Sequence, residues 1–270
     1  MSESEMAGGD ARDGAKSVDL NCDLGESFGA WKMGRDEEVL PLVTSVNVAC
    51  GMHAGDPLTM RATIGLAREH KVSVGAHPGY PDLQGFGRRA LALSPDEVYA
   101  FAQYQVAALR GMCQAQGVRL AHVKPHGALY NACARDAALA DAVAAAVFDL
   151  DPTLTLVALA GSVAVERGRA AGLAVAEEFF ADRGYTAAGT LVPRGQDGAM
   201  VRDAAVAAER VMRAVEHGEV EATDGTVIPV RCDTVCIHGD SPTALAFARD
   251  VRAALLSAGL SLAAPANPRG

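Results

Sequence analysis

The chain places its most reactive side chains at short, regular intervals. Asp19, Asn21 and Asp23 alternate along one apolar stretch, and His122, Lys124 and His126 alternate along another. Similar residues close other stretches: His53, His77, Glu177 and Glu178 running into Asp182 and Arg183, and the run His238, Gly239, Asp240. On an extended backbone a spacing of two turns side chains to the same side, so each trio forms a cluster. Carboxylates and imidazoles are ordinary general bases, and a lysine or arginine holds a developing oxyanion or a phosphate. One such residue alone is usually a hydrogen-bonded structural group. Here His53, His77, His122, His126 and His238, five of the seven histidines, gather at the ends of apolar runs beside one mid-run lysine. Burying so many polar groups without a use would cost several kcal/mol, by a rough estimate. The convergence signals a site.

The elements that must carry these residues are strands. Apolar, β-rich stretches fall near 17–23, 43–50, 72–77, 119–125, 154–160, 173–180 and 232–238, with Ala/Leu/Val patterns of helical period between most of them. Helix starts are marked at Asp56-Pro57, at Ser94-Pro95-Asp96-Glu97 as a capping box, and at Ser241-Pro242. Gly117, Gly172, Gly218 and Gly259 mark helix ends. Seven strand-then-helix units predict a parallel sheet, closed as a barrel or open and doubly wound. In such folds the active site sits at the C-terminal ends of the strands, where the polar residues fall. Residues 182–198 predict a long loop and a candidate lid, with Gly184, Gly189, Gly195 and Gly198 as hinges. Asp224-Gly225 predicts a small hairpin within 219–231. No linker divides the chain. We expect one domain over 17–262, with disordered tails at 1–16 and 263–270.

Composition narrows the function. The net charge of −9 argues against a nucleic-acid partner. The first sixteen residues lack the apolar core of a signal peptide, and no run is long enough to span a membrane. A cytoplasmic location is expected. The six cysteines contain no CxxC; Cys232 and Cys236 are too poorly spaced for zinc and read as structural thiols. Cys50, among Val48, Ala49 and Gly51, reads as packing rather than as a nucleophile, and Ser162 reads as a helix cap. There is no phosphate loop of the GxxxxGK[ST] type, no GxGxxG after the first strand and no GxSxG elbow.

Six long motifs add a resemblance. DLNCDLGESFG (19–29), NVACGMHAGDP (47–57), GAHPGYPDLQGFGRR (75–89), HVKPHGALYN (122–131), EFFADRGY (178–185) and DTVCIHGDSP (233–242) closely resemble the LamB/YcsF family, in order and from about Val18 to Leu260. Met52 departs from the aromatic residue usual there, which should alter packing more than chemistry. The resemblance implies a seven-stranded parallel β/α barrel of the glycoside hydrolase/deacetylase type. It also implies cleavage of 5-oxo-L-proline to L-glutamate, coupled to ATP hydrolysis, with partner subunits B and C.

An unstrained lactam is a poor electrophile, and coupling suggests transfer of a phosphoryl group from ATP to the amide oxygen. Water then attacks the activated carbon and phosphate leaves. On that scheme Asp23 or His126 is the base, Lys124 the oxyanion or phosphate contact, and Glu178 a further catalytic carboxylate. Arg183, Arg88 or Arg89 would clamp a carboxylate or phosphate. Asn21, His53, His77, Asp182, His238 and Asp240 would complete the substrate pocket, although Asp182 and Arg183 also fit an internal salt bridge and Arg88 and Arg89 a surface pair. With no phosphate loop here, ATP is expected mainly on the partners. A divalent metal such as Mg2+, if bound, would use Asp23, His53, His77, His126 and His238, since related barrel deacetylases use an Asp/His set. Two other functions fit the residues: a metal-dependent deacetylase or amidohydrolase working without ATP, and a non-catalytic subunit that presents substrate.

Overall fold

The computed structural model describes residues 17–238 and 242–265. Each expected apolar stretch forms a strand: β1 (Ser17–Leu24), β2 (Ser45–Ala49), β3 (Ser73–His77), β4 (Leu120–Val123), β5 (Thr155–Leu159) and β6 (Ala174–Phe180). The hairpin β7 (Glu219–Glu221) and β8 (Val227–Pro229) then precedes β9 (Thr234–Cys236). The strands outside the hairpin pair in parallel in the order β1, β2, β3, β4, β5, β6, β9, and β9 pairs back onto β1. The sheet therefore closes as a seven-stranded barrel. A short β10 (Ser261–Leu262) lies beside the start of β1, and the amide of Ala263 donates to the Val18 carbonyl.

Helices coat the barrel because their starts and stops are written locally. In α2 (Pro57–Glu69) the Asp56 side chain accepts from the amides of Leu58 and Thr59. In α3 (Pro95–Ala115) Ser94 and Glu97 form the expected reciprocal cap. Then come α4 (Gly127–Cys133), α5 (Ala137–Leu150), α6 (Val163–Ala170), α7 (Ala204–His217) and α8 (Pro242–Ser257), with α1 (Asp36–Val39) a single turn near the mouth. The expected stop glycines Gly117, Gly172, Gly218 and Gly259 all have positive φ. The apolar faces are buried: Val98, Ala102, Val106 and Leu109 of α3 pack inward, and α3 lies against α5. Burial of each such side chain is worth about 1.5–3 kcal/mol.

Two local expectations change. Ser162 occupies the N-cap position of α6, but its hydroxyl has no partner among the described residues. Glu177 takes over: it accepts from the Gly161 amide and pairs with Arg169 at 2.6 Å, so its side chain serves the barrel's outside. The Ser241 and Asp240 expectations lie outside the described residues, as do 1–16 and 266–270. No helix among the described residues is long and apolar enough to cross a membrane.

Strand register stacks the polar residues in levels inside the barrel. Asp19 faces Thr234, Asn21 faces Ser45, and Asp23 faces Asn47. Gly75, level with His122, is needed there: a Cβ would lie 2.0 Å from the imidazole Nε2.

Candidate active site

The lowest level is a hydroxyl cage. Asp19 Oδ1 accepts from Thr44 Oγ1 at 2.6 Å, and Oδ2 accepts from Ser45 and Thr234 at 2.7 and 2.5 Å. Among the described residues no ion pair reaches it, and burial pushes the carboxyl up to about 6 against the pull of those hydroxyls.

Above it sits Lys124, just past the end of β4 and almost wholly buried. Its ammonium reaches Glu178 Oε1 at 2.7 Å, Asp23 Oδ1 at 3.0 Å and Asn21 Oδ1 at 3.1 Å, with Cys236 Sγ at 3.4 Å. Burial works against the charge, but Asp23, Cys236 and Glu178 outweigh it and hold the lysine well above its ordinary value. Asn47 ties the level together, donating to Asn21 and Asp23 and accepting from His122 Nε2 at 2.8 Å. Tyr130, from α4, donates to Glu178 Oε2 at 2.6 Å. Burial opposes ionisation of Asp23 as well, yet His77 and Lys124 hold it well below the usual carboxylate range.

The imidazoles form the adjoining wall. His53 and His126 stack with centroids 3.8 Å apart, and His77 meets both edge-on. His77 Nε2 lies 3.2 Å from Asp23 Oδ2. The loop after β3 supports this wall, clamped by Gln105 of α3, whose amide bonds both the N–H and the carbonyl of Gly79. Gly87 follows it with φ +61°, and a Cβ there would come 2.8 Å from His53 and 2.9 Å from His126. Burial pushes His126 and His122 each down to about 3, with His77 adding to the first and Lys124 to the second. Glu26, in the loop after β1, rises to about 7 through burial beside Asp23.

These walls open into a cavity of about 780 Å³, within the ~300–1,000 Å³ typical of small-molecule sites. Asp23, Lys124, His77, His126, Arg88, Arg183 and His238 line it, together with Glu26, Tyr130 and Arg194. The 182–198 loop contributes Arg183, Thr186, Thr190, Leu191, Pro193 and Arg194 to the lining. It is anchored by Tyr185, which is buried and stacked on Phe179.

Several residues differ from expectation. Asp182 and Arg183 do not pair with each other. Asp182 binds His238 Nδ1 at 2.6 Å, and Arg183 donates to the carbonyls of Ala199 and Val192. His238 is thereby held apart from the other imidazoles; burial opposes its charge, but Asp182 raises it above its ordinary value. Arg89 does not line the cavity; its exposed side chain is tied to Asp82. Arg88 does line it, over the Phe86 ring at 5.0 Å. Cys50 is packed, as expected: its thiol lies 3.2 Å from the Val48 carbonyl, and burial pushes it up to about 12. All six cysteines are free, and only Cys232 is not fully buried. Sequence reasoning misses Glu26, Asn47, Tyr130 and Arg194. Glu26 and Tyr130 lie within the six motifs but off the strands, and Asn47 shows itself only as one amide in an apolar strand.

The closed parallel barrel and its buried lysine–carboxylate–imidazole mouth define an α/β-barrel enzyme acting on a small molecule. The sequence profile of the LamB/YcsF family matches residues 18–269, and the chain belongs to that family. It is 56% identical to the A subunit of the 5-oxoprolinase of Methylococcus capsulatus, over 93% of this chain and 96% of that one. It is 53% identical to the A subunit of the 5-oxoprolinase of Bordetella pertussis, over 92% and 98% of the two chains. The crystal structure of a lactam utilization protein from Thermus thermophilus superposes with a TM-score of 0.88 at 51% identity, covering 92% of this chain and all of that one. These likenesses support a hydrolase that acts on a cyclic amide.

Proposed function

We propose that this chain is the lactam-opening subunit of an ATP-dependent 5-oxoprolinase, converting 5-oxo-L-proline to L-glutamate with partner subunits B and C. One observation carries the reading. Side chains from separate strands converge on a single cavity in a chain more than half identical, over nearly its whole length, to proteins named for that activity.

The chemistry follows from bond accounting. A phosphoryl group passes from ATP to the lactam oxygen, and ADP leaves. Water adds to the activated carbon, giving a tetrahedral centre. That centre expels the ring nitrogen, which takes up a proton, and the ring opens as an acyl phosphate. A second water releases phosphate and leaves glutamate.

Asp23 is assigned the base. It stays ionised across the neutral range and lines the cavity. His126, the other candidate, has Nε2 bonded to the Phe86 carbonyl and Nδ1 facing His77. Lys124 is already ringed by acceptors, so it acts chiefly by pairing with Glu178 and by keeping Asp23 ionised. Arg88 and Arg194 supply positive charge at the cavity wall for the substrate carboxylate or the phosphate. The 182–198 loop closes over the bound substrate. ATP is brought mainly by the partners, and the subunits meet in the cytoplasm.

The test uses the purified full chain with 5-oxoproline, with and without ATP and partner subunits. Glutamate should form only in the complete mixture. Turnover by the chain alone without ATP would overturn the reading in favour of an amidohydrolase. Normal turnover by a complex carrying Asp23→Asn would remove Asp23 as base.

A further inference from the structure

At the imidazole wall four side chains bring possible ligand atoms close together. Glu26, His53, His77 and His126 each offer a ligand atom, and those four atoms lie within 4.8 Å of one another. Backbone carbonyls fix two of the tautomers. His77 Nδ1 is 2.7 Å from the Lys124 carbonyl, and His126 Nε2 is 2.9 Å from the Phe86 carbonyl. A carbonyl only accepts, so these two nitrogens carry the hydrogens. The remaining nitrogens, His77 Nε2 and His126 Nδ1, face each other at 2.9 Å. Asp23 Oδ2 lies 3.2 Å from the first, and Glu26 Oε1 lies 3.8 Å from the second. One cation among them satisfies these groups, a proton on His77 Nε2 or a metal ion in its place. His53 is a separate observation. It is 1% exposed, and neither ring nitrogen has a partner among the described residues. Such a buried polar group is costly unless something binds it.

We propose that Glu26, His53, His77 and His126 form a divalent-metal site, with Asp23 Oδ2 at its edge. Three imidazoles and a carboxylate suit zinc or another first-row ion, whereas magnesium prefers oxygen and water. This alters the expected ligand set: Glu26 enters, and His238, bound to Asp182, leaves. The hydrogen bonds from His77 and His126 to carbonyls are the outer partners that metal-bound histidines ordinarily make. A bound ion would act as a Lewis acid on the cavity wall next to Lys124. The proposal goes beyond the lactam reading and is independent of it, because binding is measured on the chain alone.

The experiment strips the full chain with a chelator and titrates it with Zn2+ by calorimetry, with metal content measured after dialysis. Co2+ replaces Zn2+ in a parallel sample read by visible absorption. One equivalent should bind, the melting temperature should rise, and the Co2+ bands should show nitrogen ligation. Glu26→Gln and His53→Ala should each weaken binding by about tenfold or more, and His217→Ala, at the exposed end of α7, should bind as the wild type does. Circular dichroism confirms that each variant is folded, and the isosteric Glu26→Gln guards against a misfolded His53→Ala. No uptake by the folded chain would mean that a proton alone sits between His77 and His126, overturning the proposal. So would binding that survives both substitutions.

Discussion

Asp19 and Asp23 stand on the same strand and face the same interior, the first buried and the second partly open to the cavity, and they behave as opposite kinds of acid. Asp19 sits in a cage of three hydroxyls and is pushed up to about 6 by burial. Asp23, two steps nearer the mouth, is held well below its ordinary range because His77 and Lys124 outweigh burial. Hydroxyl hydrogen bonds soften the burial of a carboxylate; a cation reverses it. The barrel thus keeps a readily protonated floor and a permanently charged mouth, and only the mouth opens onto the cavity.

Removing the cation should give the largest effect. Lys124→Met leaves the fully buried Glu178 and the partly buried Asp23 without their cation, and breaking a buried pair costs about 3–5 kcal/mol. Urea unfolding at neutral pH measures this; a loss below about 1 kcal/mol would mean that the mouth does not depend on its cation.

At the floor the prediction concerns pH. The folded value of Asp19 lies above the ordinary 3.8, so its contribution is fully present below that pH and is lost as the pH rises through about 6. The shift corresponds to about 3 kcal/mol. Asp19→Asn should flatten that fall between pH 4 and 7, seen by repeating the unfolding curves across the range. An unchanged slope would separate Asp19 from the effect.

Tyr130→Phe removes the donor to Glu178 Oε2 and should cost about 1.5–3 kcal/mol, with lowered activity in the full complex. Wild-type stability in this variant would show that Glu178 finds another partner. Arg89→Ala should do least. Its exposed guanidinium, tied to the buried Asp82 carboxylate, lies outside the cavity lining, and kcat/KM should stay within about twofold of wild type. A larger fall in steady-state kinetics would return Arg89 to the substrate site.

Much of the fold is legible in the sequence. A parallel barrel strand must be apolar on both faces, so polar residues at period two stand out in Asp19–Asp23 and His122–His126, and capping and stop residues delimit the helices around them. What stays hidden are relations set by tertiary direction. Nothing in the adjacency of Asp182 and Arg183 says that they turn apart, one to His238 and the other to loop carbonyls. Nothing in two consecutive arginines says that Arg88 faces the cavity while Arg89 folds back on Asp82. Glu26 and Tyr130 belong to a loop and a short helix, where periodicity carries no signal. Glu177 and Glu178 show the reverse case. Alternation on a strand must send one to each face, and Glu178 alone meets Lys124.

Residue 124 contributes twice, through separate parts of itself. Its side chain pairs with two acids, while its peptide oxygen accepts from His77 Nδ1 and so orients that ring. Pro125 follows immediately and confines the preceding backbone to extended conformations, so the direction of that oxygen survives a change of side chain. Replacements at this one position therefore subtract charge while leaving imidazole orientation in place, an uncoupling that mutating either histidine cannot achieve.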